Sequence, residues 1–219
     1  MKREIIITAD GSTTIHLADW NENYHSKHGA IQEANHVFIK MGLSLFFNQN
    51  EISILEIGFG TGLNALLTLL NAEKDNLKVY YEAIEAHPVD FSEIKNINFP
   101  EQLHIDRILF DQLHQVEWEL THQITTNFSF KKRNLFFNQI DDKNRFDLIY
   151  FDAFGPRVQP ELWTEPIFKL MFNALKSKGV LVTYSANSNA RRAMQAAGFL
   201  VEKLAGPPGK REMLRATKP

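Results

Sequence analysis

Glu56-Ile57-Gly58-Phe59-Gly60-Thr61-Gly62-Leu63-Asn64 decides how the rest of this chain is read. An apolar run over residues 52–57 leads into it, and Leu63, Leu66, Leu67 and Leu70 follow on one helical stripe. The stretch therefore reads as strand, tight glycine turn, helix. Glycine has no Cβ and tolerates positive φ, so such a turn lets backbone come close to a ligand. The helix N-terminus behind it adds free N–H groups and the positive end of a dipole. A dinucleotide fingerprint, Gly-x-Gly-x-x-Gly, would place its third glycine at Leu63 and is excluded.

Downstream the chain alternates as an α/β protein does. Residues 79–85 read as a second strand, 88–97 as a short helix with Pro88 near its start, and 101–115 as further helix. Residues 116–120 and 124–131 read as strands joined by a turn at 121–123, the third core strand lying in the second run. Residues 146–151 form a buried strand ending on Asp152; helix over 165–175, strand over 180–184 and helix over 189–197 follow. The last two strands, 199–204 and 211–216, have no helix between them and should pair antiparallel. Upstream, Asp10-Gly11 between β-rich runs predicts a hairpin, residues 19–25 a loop, and 30–47 a helix. The expected organisation is an N-terminal hairpin and helix extension over residues 1–50, packed over the mouth of the sheet, and one catalytic domain over 51–219.

Composition narrows the function classes. With 219 residues, 44% hydrophobic residues and 17 phenylalanines, the chain can build one sizeable core. It has no cysteine, which removes disulfides, thiolate metal sites and a thiol nucleophile, and no signal peptide, so a cytoplasmic address is expected. No apolar run approaches the roughly 20 residues of a membrane-spanning helix. The eight histidines are scattered without an i, i+4 partner, and no metal site is expected. A formal charge of -2 means that any RNA contact must use a local basic patch.

The acidic-x-Gly-x-Gly-x-Gly spacing resembles the first motif of the S-adenosyl-L-methionine-dependent methyltransferases. That resemblance implies a Class I, Rossmann-like α/β fold, a mostly parallel sheet with a C-terminal antiparallel strand. It also implies that Gly58, Gly60 and Gly62 pass under the cofactor. Ligands of open α/β sheets lie beyond the carboxyl ends of the strands. There Glu85 can accept hydrogen bonds from both ribose hydroxyls. Glu56 either meets the cofactor ammonium or braces the turn, and Asn64 closes the motif among the cofactor contacts. Asp152-Ala153-Phe154-Gly155-Pro156 resembles the Asp/Asn-Pro-Pro-aromatic motif of amine-directed methyltransferases. A carboxylate at this place can orient an amine, take its proton and offset the developing positive charge. Phe154 would form an apolar wall, with Pro156 fixing the turn.

Further segments resemble a narrower family, the MnmC methyltransferase domain. They are residues 56–64, 151–156 with Pro160-Glu161-Leu162-Trp163, 185–199 with its Arg191-Arg192 and Ala197-Gly198-Phe199, and Gly209-Lys210-Arg211-Glu212-Met213-Leu214. Gly29, Glu33 and Val37-Phe38 resemble the helix that precedes the glycine turn. The resemblance implies N-methylation of an aminomethyl group on the tRNA wobble uridine, turning 5-aminomethyl-2-thiouridine into 5-methylaminomethyl-2-thiouridine. In many relatives a fused flavin-dependent oxidoreductase makes that amine. This sequence ends at Pro219, so a stand-alone form served by a separate enzyme is expected. It departs from the family at the end of the third strand, where Lys131-Lys132-Arg133-Asn134 replaces Gly-Asp. The carboxylate expected to hold the adenine amino group is missing, and Asn134 is the candidate replacement. Lys131-Lys132-Arg133, Arg157, Arg191-Arg192 and Lys210-Arg211 are candidate phosphate contacts, with Arg211 alternatively internal beside Asp152. Trp163, Trp20 and Tyr24 could grip an extruded base or lie in the core. A small-molecule amine as substrate, and a non-catalytic remnant that binds RNA or protein, stand as the alternatives.

Overall fold

A computed structural model describes residues 2–219. The chain turns back at Gly11, at φ +83, so that β1 (Arg3–Ile7) pairs antiparallel with β2 (Thr13–Leu17). The following segment, expected as loop, carries the two-residue strand β3 (Glu22–Asn23) on the far side of β2. The helix expected over 30–47 is broken. It begins as α1 (Ala30–Ala34), widens into π-helical turns over Asn35–Lys40, and resumes as a 3-10 turn over Leu43–Phe46. Gly42 explains the break, because a Cβ there would lie 2.6 Å from the Phe38 carbonyl oxygen. Only glycine lets the chain fold back so tightly.

The parallel core follows: β4 (Glu51–Ile57), α2 (Leu63–Asp75) and β5 (Lys78–Ile84). Three short helices then cross the sheet, α3 (Phe91–Ile94), α4 (Phe99–Leu103) and α5 (Arg107–Gln115). Pro88 lies outside α3, which starts only after the Asp90 carboxylate caps the Ser92 N–H at 2.9 Å. A left-handed His104 at φ +54 separates α4 from α5. Residues 116–120 form no strand: Glu119 is left-handed at φ +65 and only Trp118 bridges to Lys132. The hairpin there is instead β6 (Thr121–Thr125) with β7 (Phe128–Arg133), its turn falling at Thr126-Asn127. The last elements are β8 (Phe146–Phe151), α6 (Glu165–Ala174), β9 (Leu175–Thr183), α7 (Ser188–Ala196), β10 (Leu200–Ala205) and β11 (Glu212–Thr217).

The large sheet runs β10-β11-β9-β8-β4-β5-β7-β6. The pairs among β9, β8, β4, β5 and β7 are parallel, while β10, β11 and β6 are antiparallel to their neighbours. This is the expected mostly parallel sheet with a C-terminal antiparallel strand. β8 shows why it is two-sided: Leu148 and Tyr150 enter the core shared with α2, α5 and the N-terminal segment, whereas Ile149 and Phe151 enter the core under α6 and α7. Ile15, Leu17, Val37 and Phe38 belong to the first of these cores, so residues before β4 pack directly on the sheet layer. Between β7 and β8 only a 3-10 turn, Phe137–Gln139, is interposed. The face of β5 and β7 there is closed by ion pairs rather than a helix: Arg133 bridges Glu82 at 3.2 Å and Asp142 at 2.6 Å, and Arg145 adds a second contact to Glu82 at 2.5 Å. Among the described residues no helix is long and apolar enough to cross a membrane.

Candidate active site

The carboxyl ends of β4, β5 and β8 converge on one rim, and the glycine turn joins them. Gly58, Gly60 and Gly62 all have positive φ, at +91, +51 and +74. A Cβ at Gly58 would stand 2.8 Å from the Asp152 carbonyl oxygen, and one at Gly62 would stand 2.8 Å from His114 Nε2. These two glycines are therefore required by close packing of the turn on its neighbours. A Cβ at Gly60 would stand 3.1 Å from the Tyr24 ring, which covers this glycine at the mouth.

Asn64, in the first turn of α2, is the hub. Its Nδ2 donates to Glu56 Oε1 at 3.0 Å and to Asp152 Oδ2 at 2.8 Å, so one amide ties the end of β4 to the end of β8. Glu56 is fully buried; burial, then the nearby Asp152 charge, pushes its carboxyl well above the usual range. Burial likewise pushes Asp152 up to about 7, against the opposing hydrogen bond from Asn64. Glu56 Oε2 and Asn64 Oδ1 are buried and have no hydrogen-bond partner among the described residues. Two unpartnered acceptors beside a carboxylate pair suit an ammonium, the amino-acid end of S-adenosyl-L-methionine. The residues present thus fit the cofactor.

Glu85 follows β5. Its carboxylate accepts the Gly60 N–H at 3.0 Å and the His87 N–H at 2.8 Å. Each carboxylate oxygen has a second lone-pair direction, which leaves room for ribose hydroxyls. Asn134, just past β7, donates its Nδ2 to the Glu85 carbonyl at 2.9 Å, and its N–H goes to Glu119 Oε1 at 2.7 Å. It braces the strand end with its backbone N–H and one side-chain N–H.

The residues before β4 cover the mouth. Tyr24 and Trp20 meet Phe154 edge-on at 5.0 and 5.6 Å. His25 Nε2 bonds Thr61 Oγ1 at 2.7 Å, and burial holds its imidazole down to about 4. Phe154 is thus half-buried in an aromatic cluster with the N-terminal segment. Pro156 lies in the same partly exposed turn.

Several expected site residues are placed differently. Trp163 is 4% exposed, packs on Phe151 and Phe168, and donates Nε1–H to the Phe154 carbonyl at 2.8 Å. It props the Asp152–Pro156 turn from below and presents no face to a base. Arg211 is exposed and forms no ion pair among the described residues. The internal cation is its neighbour Lys210, which pairs with Glu33, lies 4.1 Å from the Tyr184 ring centre and lowers the carboxyl of Asp152. Of the Lys131-Lys132-Arg133 run, Arg133 is sequestered in the ion-pair network and Lys132 is 1% exposed. Lys132 Nζ donates to the His114 carbonyl and lies 4.8 Å from the Trp118 ring; burial lowers its ammonium to about 8. It lines a cavity of about 210 Å³ with Phe59, Gly60, Pro88, Val89, Phe91, His114 and Trp118. The alternation Phe128, Phe130, Lys132 was the signal that this lysine points inward.

Residues 98–219 match a family described as S-adenosyl-L-methionine-dependent methyltransferase. The chain belongs to that family. This methyltransferase is 28% identical over 217 residues to the tRNA 5-methylaminomethyl-2-thiouridine biosynthesis bifunctional protein MnmC of Burkholderia multivorans, covering 89% of this chain and 32% of that protein. It is 30% identical over 212 residues to the protein of the same name from Azoarcus sp., covering 90% of this chain and 33% of that one. The chain therefore spans about a third of the length of these curated relatives. The crystal structure of MNMC2 from Aquifex aeolicus superimposes with a TM-score of 0.78 at 26% identity, over 100% of this chain and 72% of that one. Spermidine synthase from Thermotoga maritima, at 16% identity and a TM-score of 0.59, shares the fold. The methyltransferase is thus an enzyme of the MnmC domain family that uses S-adenosyl-L-methionine.

Proposed function

We propose that the enzyme methylates the aminomethyl nitrogen of a tRNA wobble uridine, converting 5-aminomethyl-2-thiouridine to 5-methylaminomethyl-2-thiouridine. The names of the relatives motivate the substrate. The observation that carries the chemistry is the Glu56–Asn64–Asp152 unit, which puts an amine-directed carboxylate one amide away from a cofactor-directed one.

In this reading Glu56 and Asn64 receive the cofactor's ammonium, Gly58, Gly60 and Gly62 form the turn beneath it, and Glu85 takes the ribose hydroxyls. When bound, S-adenosyl-L-methionine supplies an electrophilic methyl on a sulfonium. Asp152 accepts a hydrogen bond from the substrate amine and aims its lone pair at that methyl carbon. With the methyl supplied by the cofactor's sulfonium, Asp152 would take the surplus proton that the methylated nitrogen gives up. An aspartate held near 7 can take that proton and release it to water at neutral pH. Tyr24, Trp20 and Phe154 form the aromatic entrance for the base, and Pro156 fixes the turn. Of the candidate phosphate contacts Arg157, Arg192 and Arg211 remain exposed, Arg157 paired with Glu22, while Lys210 acts internally on Asp152. Residues 1–50 serve as an extension of the catalytic domain over residues 51–219. We place the reaction in the cytoplasm.

The test uses methyl-labelled cofactor with tRNA carrying 5-aminomethyl-2-thiouridine. Label in the wobble nucleoside is expected. Absence of transfer overturns the reading, and equal methylation of free small amines would replace it with a small-molecule amine methyltransferase.

A further inference from the structure

The direction in which the cofactor lies follows from the strand order. On the proposed assignment Glu56 and Asn64 would hold its amino-acid end over β4, and Glu85 its ribose over β5. The base is joined to the ribose on the far side, and the next strand in the sheet is β7. What stands at the end of β7 therefore reads the base.

Two groups stand there, and one comes from outside the strand. Glu119 N–H donates to the Lys132 carbonyl at 2.7 Å, which lays the residue alongside the end of β7. Its carboxylate Oε1 then accepts the Asn134 N–H at 2.7 Å. Glu119 achieves this at φ +65, a left-handed conformation uncommon for residues other than Gly, Asn and Asp. Asn134 has used its own N–H on Glu119 and its Nδ2 on the Glu85 carbonyl. The backbone N–H and one of the two Nδ2 hydrogens of Asn134 are thus committed, and the second oxygen of Glu119, Asn134 Oδ1 and the other Nδ2 hydrogen remain for a ligand. Two acceptors recognise a hydrogen-bond donor. Phe136, 54% exposed, and His87 meet edge-on at 5.7 Å beside them and supply an aromatic edge for a planar ring.

We propose that Glu119 is the carboxylate that recognises the exocyclic amino group of the cofactor's adenine, delivered from the segment before β6 in place of one at the end of β7. Asn134 is then the positioning residue that links this carboxylate to Glu85. The inference rests on the cofactor assignment alone and needs no tRNA, so failure of the wobble-uridine reading leaves it standing.

The test is titration calorimetry with S-adenosylhomocysteine and its inosine counterpart, in which a 6-oxo acceptor replaces the amino donor. The wild-type protein should prefer the adenosyl compound by about tenfold or more, the value of one charge-assisted hydrogen bond. Glu119→Gln keeps an acceptor for the Asn134 N–H but can also donate to a 6-oxo group, so the preference should collapse. Glu119→Gly relieves the left-handed backbone and should keep the melting temperature while adenosyl affinity falls about tenfold. A preference untouched in Glu119→Gln overturns the proposal. So does a Glu119→Gly protein that melts earlier yet binds normally, which would mark Glu119 as a cap only. Loss of the preference in Lys132→Met, with Glu119→Gln unchanged, would move the base to the neighbouring cavity and equally overturn it.

Discussion

Asp152→Asn should stabilise the protein at pH 8 while nearly abolishing turnover. Burial raises the Asp152 carboxyl from an ordinary value of 3.8 to about 7, so between these values the folded chain holds a proton that the unfolded chain has released. Stability attributable to this residue is therefore complete below about pH 4 and lost as pH climbs towards 7. At about 1.4 kcal/mol for each pH unit between folded and unfolded values, the loss reaches about 4 kcal/mol. Asparagine has nearly the same shape, never ionises, and can still accept from Asn64 Nδ2. Urea unfolding of both proteins at pH 4 and pH 8, without cofactor, isolates the effect because every other titrating group is common to the pair. The variant should match the wild type at pH 4 and exceed it by about 2–4 kcal/mol at pH 8. Methyl transfer should fall by about 10²-fold or more, the usual contribution of a positioned base. Equal or lower stability of the variant at pH 8 would refute the claim that Asp152 is held in a desolvated, strained state.

Other consequences are smaller or act elsewhere. In the wild type, methyl transfer should rise with pH through about 7 as Asp152 becomes an acceptor, and a profile flat from pH 6 to 8 would argue against its role as base. Burial, with the Lys132 charge next, holds His114 down to about 3, so its share of stability is present above the ordinary 6.5 and is lost as pH falls below that value. Thermal melts of His114→Phe should be less pH-dependent than wild type between pH 4 and 6.5. Gly60→Ala forces a side chain into a residue at φ +51 with Tyr24 3.1 Å away, which should weaken cofactor binding by about tenfold in calorimetry at a cost of about 1–2 kcal/mol in stability. Arg133→Met leaves Glu82 and the buried Asp142 with Arg145 as their one remaining shared cation and should lower unfolding free energy by about 1–2 kcal/mol.

The sheet's centre and the carboxylates on its rim were legible because both depend on local pattern. Residues 146–151 are apolar on both faces with an aspartate directly after them, and the glycine spacing allowed one strand–turn–helix reading. What escaped was decided by tertiary context. Residues 116–120 alternate like a strand, yet Glu119 turns left-handed to reach the end of β7, and the extended run stops. Lys132 and Arg133 read as a basic surface run, but strand alternation sends one into the core side and the other to the acidic pair Glu82 and Asp142. Lys210 and Arg211 are adjacent in sequence, and only the position of Glu33, more than half the chain away, determines that Lys210 is the one beside Asp152. Trp163 is similar: its indole N–H serves a carbonyl nine residues back rather than a ligand.

The bond between Asn64 and Asp152 closes a loop of 88 residues. β4 gains its first partner, β5, from the next turn of chain, but its second, β8, arrives only after the whole of α3 to β7 has been made. Pairings of such separation form late in folding, because the entropy of closure is lost before the contacts are gained. The glycine turn and Glu85 can therefore take shape in a half-assembled sheet, whereas Asp152, the carboxylate proposed to take the proton, joins them only when β8 docks. Contact order thus predicts that a partly folded chain holds the proposed binding turn before it holds the proposed reaction centre.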